Sequence, residues 1–258
     1  MVKGLYTAYT GMLNEQHRMD VLSNNMANVT TVGYKKEGTT SQAFDDVLTL
    51  KIKDSTVGYN LAQREGINNR GVKIGENYVD WSQGSFRITE NTYDLALGGP
   101  GFFQVEFTNK SGETQTLYTR QGQFSLNIDG YLVNDNGDYI LNTAGNRIKL
   151  NTLTDSTIDQ QGNIWQNGQR VDQIGVVDFA DYDYLERFGE TYFTPLEGAQ
   201  MTRSDTKMYS GYLEMSNVQT VSEMVNLIAI SRQYEANQKI IQTIDGSLEV
   251  AVNQLGQV

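Results

Sequence analysis

The sequence predicts an α+β protein, in which N- and C-terminal α-helices form a coiled-coil-like stalk and the middle forms a mainly antiparallel β domain. Apolar residues recur every three or four positions at both ends of the 258-residue chain, which is the pattern of an amphipathic helix. Between these ends lie short runs of β-branched and aromatic residues separated by glycine and asparagine, which is typical of strands and tight turns.

The first periodic segment covers residues 3–29 and predicts an amphipathic helix. Its heptad a positions are Leu5, Met12, Met19 and Met26, and its d positions are Ala8, Glu15, Leu22 and Val29. Glu15 is the one clear violation of this apolar seam. We expect the helix to end near residues 30–33, where β-branched residues and a glycine favour a turn.

The second periodic segment covers residues 218–255 without a proline. Its a positions are Leu227, Tyr234, Ile241, Leu248 and Leu255, and its d positions are Ile230, Asn237, Ile244 and Ala251. A helix of this length would extend for about 55 Å, so part of it must project beyond a globular body. Asn237 lies between two isoleucines at d positions, and we expect its amide to fix the helix register.

The middle of the chain predicts strands and hairpins. Residues 102–107, 122–127 and 174–179 are the clearest strand segments, and only residues 182–188 suggest a helical turn between 77 and 211. The dipeptides Asp129-Gly130, Asn136-Gly137 and Asn167-Gly168 are typical of hairpin turns with two positive φ angles. Residues 51–75 lack sustained alternation and predict a long loop, which is usually functional or disordered.

The composition restricts the classes of function. Lysine and arginine total 20 against 31 aspartates and glutamates, and the formal net charge of −11 disfavours nucleic acid as a partner. The chain has no cysteine and one histidine, His17, which excludes disulfides and thiolate sites and leaves little for a histidine-centred site. We therefore expect no metal, no cofactor and no nucleic-acid partner.

The sequence also predicts no membrane insertion. A membrane span needs roughly 20 apolar residues, and even the apolar run at 224–230 is interrupted by Asn226. Glu15 and Asp20 lie where a cleavable signal would need an apolar stretch. Export would have to use another route.

Two apolar seams at opposite ends of one chain leave two interpretations open. One pair of helices leaves the wider apolar stripes half exposed, and such surface marks an interaction site. The first interpretation is therefore a polymerising subunit. The alternative is a helical hairpin completed within one monomer. Periodicity alone does not decide between them.

Residues 23–35, which read SNNMANVTTVGYK, resemble the N-terminal signature of the bacterial flagellar rod and hook proteins. Later segments are similar to that family in order and spacing: DLAL at 94–97, GFF at 101–103, YTRQG at 118–122, LEMSNV at 213–218, RQYEAN at 232–237 and QTID at 242–245. Two departures are GGPG at 98–101 and Gln233, where the family commonly has a small residue. Length and the segment after residue 48 resemble the distal rod members most.

The resemblance implies a non-enzymatic axial protein of the flagellar basal body that polymerises with itself into a tube. It implies export in the unfolded state through the flagellar type III apparatus, with other rod proteins, the hook and the surrounding rings as partners. It divides the chain into an axial helix (1–35), an extended rod-type segment (36–76), a central β domain (77–211) and a second axial helix (212–258). The expected subunit-interface residues are Leu5, Met12, Met19, Leu22, Met26, Asn24, Asn25, Asn28, Leu227, Ile230, Tyr234, Asn237, Ile241, Ile244, Leu248 and Leu255.

Other readings remain as alternatives. Within the family, the chain could be a proximal rod or hook paralogue. In a different class, the carboxylates and aromatics Asp181, Tyr182, Asp183, Tyr184, Glu186, Glu190 and Tyr192 could serve a secreted sugar-binding or hydrolytic β module. A solvated acidic turn is favoured over that site, as is a plain hairpin turn over a calcium loop at residues 136–138.

We call residues 181–192, which contain these carboxylates and aromatics, the acidic stretch. A third interpretation of it involves a neighbouring subunit. Residues 51–75 carry five basic and two acidic side chains inside an acidic chain, with Arg64 and Arg70 among the basic ones. Complementary charge between this segment and the acidic stretch of a second copy would help to set the assembly register.

Overall fold

The structure is a computed structural model that describes residues 2–51, 63–110, 112–204 and 206–255. Its elements in chain order are α1 (Val2–Ala27), β1 (Glu37–Ala43), β2 (Val47–Lys51), β3 (Gln63–Asn68), β4 (Val72–Val79), β5 (Phe86–Ile88), β6 (Leu95–Gly98), β7 (Phe102–Thr108), β8 (Thr114–Thr119), β9 (Phe124–Leu126), β10 (Leu132–Asn134), β11 (Tyr139–Ile140), β12 (Ser156–Ile158), β13 (Asn163–Gln166), β14 (Gln169–Gln173), β15 (Val176–Phe179), a 3₁₀ turn (Tyr182–Tyr184), β16 (Leu185–Phe188), β17 (Tyr192–Pro195), β18 (Met201–Arg203), β19 (Lys207–Ser210), β20 (Tyr212–Glu214) and α2 (Thr220–Leu255). The α+β class with two terminal helices and a mainly antiparallel β region is confirmed.

The chain divides into two compact units. The first contains Met1–Met26, Glu37–Asp80 and Gln219–Val258, and the second contains Ala27–Lys36 and Trp81–Val218. The division into four segments made from the sequence stays a prediction.

In the first unit, α1 and α2 approach each other at two glycines. A Cβ on Gly4 would lie 3.6 Å from Cδ1 of Ile244, and a Cβ on Gly11 would lie 3.0 Å from Nδ2 of Asn237. From the first contact to the second, the residue number rises by seven on α1, from Gly4 to Gly11, and falls by seven on α2, from Ile244 to Asn237. The helices are therefore antiparallel at this contact, and the side chains of Ile244 and Asn237 lie over the two glycines of α1.

The same unit contains a long two-stranded ribbon. β1 pairs with β4 and β2 pairs with β3, all antiparallel, and the N–H of Phe44 donates to the carbonyl of Gly71 at 3.0 Å between the two pairs. An isolated ribbon is marginally stable in water. Here α1 supports it, because Ser41 Oγ donates to Asn14 Oδ1 at 3.1 Å and His17 Nε2 lies 3.2 Å from Asn77 Oδ1.

The ribbon corrects the prediction of a loop over residues 51–75. That prediction was wrong for the described residues in β3 and β4, while residues 52–62 lie outside the described part. The physical reason is that β4 is mostly exposed on both faces, so it needs no alternation of apolar and polar residues. The positive φ angles of Gly66 and Gly71 also interrupt the strand pattern.

The second unit is built on a nine-stranded sheet. Its main path has the order β16-β17-β8-β7-β11-β10-β9, and β15 adds to β7 and carries β18. A separate three-stranded sheet has the order β12-β13-β14. The buried apolar core of the unit comprises Leu95, Leu97, Phe103, Val105, Leu117, Phe124, Leu132, Ile140, Ile148, Leu150, Ile164, Ile174, Tyr192 and Met208.

The three hairpin dipeptides all form turns, but only one has the predicted geometry. Asn167 and Gly168 have φ angles of 51° and 76°, as two positive central positions require. At the other two dipeptides only the glycine is positive, and its N–H donates to the carbonyl of Asn127 or Asn134 three residues earlier, at 3.0 Å in both turns. The earlier asparagine organises these turns because its side chain also accepts backbone N–H groups.

Candidate functional site: the buried junction and the terminal helices

A buried ion pair connects two distant parts of the second unit. Lys35 Nζ lies 2.6 Å from Glu214 Oε1, and both side chains are almost completely buried. The same ammonium donates to the carbonyl of Ser82 at 2.8 Å, and the N–H of Gly84 donates to Glu214 Oε1 at 3.2 Å. Buried charges are tolerated when they are paired and hydrogen-bonded in this way.

Arg120 brings a second cation to the same carboxylate. Its Nη1 lies 3.4 Å from Glu214 Oε2, and its guanidinium lies over the ring of Phe102 at 5.3 Å. Burial lowers the pKa of Arg120, while the charge of Glu214 acts in the opposite direction. Glu214 is thus the anion shared by two buried cations, and we call Lys35, Arg120 and Glu214 the buried junction.

The backbone at Gly33 brings the N-terminal segment into this junction. Gly33 has a φ of +70°, and its N–H donates to the carbonyl of Glu214 at 2.8 Å. A Cβ at this position would collide with the backbone of Arg120 and Gln121. The N–H of Lys36 also donates to Asn217 Oδ1 at 2.8 Å. Glycine is therefore required here for both its conformation and its small size.

Arg187 holds the same segment from the side of β16. Its guanidinium lies 4.3 Å from the centre of the Tyr34 ring, and its Nη2 donates to the carbonyls of Lys35 and Glu190 at 3.0 and 2.9 Å. The planar guanidinium of arginine can stack on an aromatic ring and donate hydrogen bonds to carbonyls at the same time. This part of the acidic stretch thus stabilises the N-terminal segment.

Tyr184 of the acidic stretch is 44% exposed, whereas Asp181 and Tyr182 have partners within the second unit. Asp181 caps the 3₁₀ turn by accepting the N–H of Asp183 at 3.0 Å. Tyr182 donates to Asp178 Oδ1 at 2.7 Å and packs against Trp81, with ring centres 5.1 Å apart. Burial and the hydrogen bond to Asp178 raise the pKa of Tyr182 to about 12. These side chains have structural partners, which weakens the sugar-binding interpretation.

Tyr192 is a second buried phenol in this region. Its hydroxyl donates to Asp138 Oδ2 and accepts from the amides of Asn134 and Asn136. Burial and the bond to Asp138 raise its pKa to about 12. The residues around 136–138 therefore form a turn held by Tyr192.

On α1, the predicted apolar interface residues are half-buried: Leu5, Met12, Met19, Leu22 and Met26. Of the three asparagines, Asn24 is exposed, while Asn25 and Asn28 are buried. Asn25 accepts the N–H of Glu37 at 2.9 Å and donates to its carbonyl at 2.7 Å, in the manner of a strand partner. Asn28 accepts from the hydroxyl and the N–H of Thr31 at 3.1 and 3.2 Å, and this turn replaces the helix after Ala27, earlier than expected.

On α2, burial follows the predicted heptad. Ile230 is buried, and the half-buried interface residues are Leu227, Tyr234, Asn237, Ile241 and Ile244. Leu248 is at the edge of exposure, and the side chain of Leu255 lies outside the described part. That these residues of either helix contact a second subunit stays a prediction.

Two apolar stripes on the helices are exposed. Stripe A comprises Tyr6, Tyr9 and Leu13 of α1, with side chains 42–60% exposed. Stripe B comprises Val221, Met224, Val225 and Ile228 of α2, with side chains 51–77% exposed. Contiguous exposed apolar residues of this kind mark an interaction surface.

The buried junction was not predicted from the sequence. Lys35, Arg120 and Glu214 lie inside the motifs GYK, YTRQG and LEMSNV, but each motif is polar enough to belong to a surface. The available signal was weak: Lys35 follows an aromatic residue and Glu214 lies between two apolar residues, but Arg120 lies between two polar ones. Within the described ranges, no group of three or more His, Cys, Asp and Glu residues could hold a metal ion. In the same ranges, no helix is apolar over a stretch long enough to cross a bilayer.

Three parts of the chain match known protein families. Residues 5–35 match the family described as flagella basal body rod protein. Residues 96–166 match the D1 domain of the flagellar hook protein FlgE/F/G, and residues 209–255 match the flagellar basal body rod FlgEFG protein C-terminal family. Lys35, Arg120 and Glu214 of the buried junction each fall within one of these three segments.

Whole-length relatives agree with these matches. The chain is 33% identical over 276 residues to the flagellar basal-body rod protein FlgG of Bacillus subtilis, covering 98% of this chain and 99% of the relative. It is 34% identical to FlgG of Caulobacter vibrioides, over 98% and 99% of the two chains. It is 31% identical to the flagellar hook-basal body complex protein FlhO of B. subtilis over the full length of both. The resemblance inferred from the motifs is confirmed, and the chain belongs to the family of flagellar basal-body rod proteins, the structural subunits of the flagellar rod.

Proposed function

We propose that this rod subunit polymerises with copies of itself into a tubular axial structure that transmits torque from the motor to the hook. The observation that carries the proposal is the apolar surface of its two helices. The seams are only half-buried within one chain, and stripes A and B are exposed. Such surface is stabilised when further copies cover it.

We also propose that α1 and α2 form a coiled-coil-like stalk within each subunit. The approach of Gly4 to Ile244 and of Gly11 to Asn237 supports an antiparallel pair. The half-buried a and d positions of α2, separated by exposed residues, support a continuous seam. Asn237 in this seam would fix the register of the two helices.

The distal rod is the position we propose for the subunit. Its length, its extended segment and its similarity to relatives named FlgG support this assignment over a hook paralogue. A proximal rod paralogue is the alternative, since a relative named FlgF from Caulobacter vibrioides is 29% identical over the whole chain. The partners we propose are the other rod proteins, the hook, the surrounding rings and the flagellar type III export apparatus.

The seam variant Leu227→Asp with Ile241→Asp tests the proposal. Burying charge in the seam should abolish polymerisation, which sedimentation velocity measures. Gln238→Asp with Gln242→Asp is the matched control, because both residues are exposed on the same helix. Near-ultraviolet circular dichroism should report an unchanged second unit in both proteins. Polymerisation of the seam variant at the level of the control would contradict the proposal.

A further inference from the structure

The exposed stripes A and B have similar length and chemistry but lie on different helices. Each spans eight residues, from Tyr6 to Leu13 and from Val221 to Ile228, which is about two helical turns. Stripe A is largely aromatic, and stripe B offers β-branched side chains and a methionine. Aromatic rings pack well against such groups and gain from sulfur contacts.

The stripes also lie at different levels of the first unit. The contacts of Gly4 with Ile244 and Gly11 with Asn237 fix which residues are level with each other. Extending this antiparallel register places Ile228 level with Asp20 of α1, well beyond Leu13. The centres of the two stripes are therefore separated by about 14 residues, or roughly 21 Å along the helix axis.

Exposed polar residues follow each stripe on its C-terminal side. Arg232 and Glu235 follow Ile228 on the outer face of α2 and are exposed, and Gln16 and Asp20 follow Leu13 on α1 in the same way. Sliding one stripe past the C-terminal end of the other would therefore place apolar side chains against polar or charged ones. Such a boundary favours one axial position.

We infer that stripe A of one copy packs on stripe B of a second copy, displaced along the helix axis. This inference rests on the proposed function, because it names the residues through which the polymer grows. A contact between two different patches is heterologous. A row of copies joined in this way always has one unoccupied stripe A at one end and one unoccupied stripe B at the other, so further copies can add. A contact of one stripe with itself would instead close a dimer.

Two charge variants test this pairing. The A-variant carries Tyr9→Glu and Leu13→Glu, and the B-variant carries Val221→Glu and Val225→Glu. Each variant alone should remain monomeric in sedimentation velocity at concentrations where the wild-type chain polymerises. An equimolar mixture should form dimers and nothing larger, because one intact stripe of each kind remains. The off-stripe control, Ser23→Glu with Gln238→Glu, should polymerise like the wild type, since both residues are exposed.

The outcomes separate this inference from the proposed function. If the A-variant or the B-variant polymerises or dimerises alone, the pairing of stripe A with stripe B is wrong while the polymer stands. If the wild-type chain never assembles, both fall. Far-ultraviolet circular dichroism checks that the helices are retained, and where a variant loses them the milder serine substitutions at the same positions take its place.

Discussion

Glu214 and Lys35 are in direct contact at 2.6 Å although 179 residues separate them along the chain. Lys35 belongs to the segment that follows α1, and Glu214 ends the strand that precedes α2. Arg120 adds a contact from the central β motif. The three motifs that identify the family thus supply one buried group of charges, which gives a physical reason for charged residues inside them.

Removing the shared anion should strongly destabilise the second unit. Glu214→Gln removes the carboxylate that Lys35 and Arg120 share in a buried site, and breaking a buried ion pair costs about 3–5 kcal/mol of the free energy of unfolding. Urea denaturation measures the change. The control is Glu106→Gln, because its partner Arg147 is 42% exposed, and an exposed pair contributes about 0–1 kcal/mol. Equal losses in the two variants would refute the role of the junction.

Tyr192 should make stability fall at high pH. Its folded pKa is raised to about 12 from the ordinary value of 10.0, so its contribution is fully present below the unfolded pKa and is lost as pH rises through the folded one. At about pH 11 the contribution of Tyr192 should have fallen by roughly 1 kcal/mol relative to its value near neutrality. Tyr192→Phe should lack this loss and keep the loss due to Tyr182, whose pKa is also raised to about 12. Urea midpoints of both proteins measured across this range test the prediction. Parallel pH profiles would contradict it.

Engineered cysteines can report the register of the helices, because the chain has none of its own. Gly4→Cys with Ile244→Cys places thiols at two positions in contact, since Cδ1 of Ile244 lies 3.6 Å from the Cβ position of residue 4, and we expect an intrachain disulfide under mild oxidation. Gly4→Cys with Asn237→Cys is one heptad out of register and should remain reduced. Mobility on non-reducing gels distinguishes the two. Oxidation of both pairs at the same rate would exclude a fixed antiparallel pairing.

Charge reversal at the basic segment should weaken assembly in low salt. Arg70 is exposed, and the side chain of Arg64 lies outside the described part. If these residues contact the acidic stretch of a neighbour, Arg64→Glu with Arg70→Glu should raise the concentration needed for polymerisation, and added salt should reduce the difference from the wild type. Light scattering at two ionic strengths measures this. Assembly that is unchanged at both would remove the charge pairing from the account.

The features predicted well from the sequence are those that depend on local periodicity. The heptad pattern of α2 indicates which of its side chains are shielded from solvent: Ile230 is buried, and Leu227 and Ile241 are half-buried. The strand at Phe102 is also clear, since apolar and β-forming residues are contiguous there.

The features that were missed depend on contacts between distant residues. Nothing near Lys35 in the sequence indicates Glu214 or the approach of Gly33 to Arg120. The ribbon was missed for a different reason, because its strands are largely exposed and lack alternation. The end of α1 at Ala27 was also missed. The side chain of Asn28 binds Thr31 there and starts a turn, although the apolar periodicity of the sequence continues to residue 29.

Electron microscopy of the purified chain at increasing concentration tests the central claim most directly. The account predicts that individual subunits give way to rods of constant diameter as concentration rises, because the exposed apolar surface of the helices is covered by further copies. A chain that remains monomeric at every concentration, with both helices ordered and stripes A and B still in contact with solvent, would contradict it.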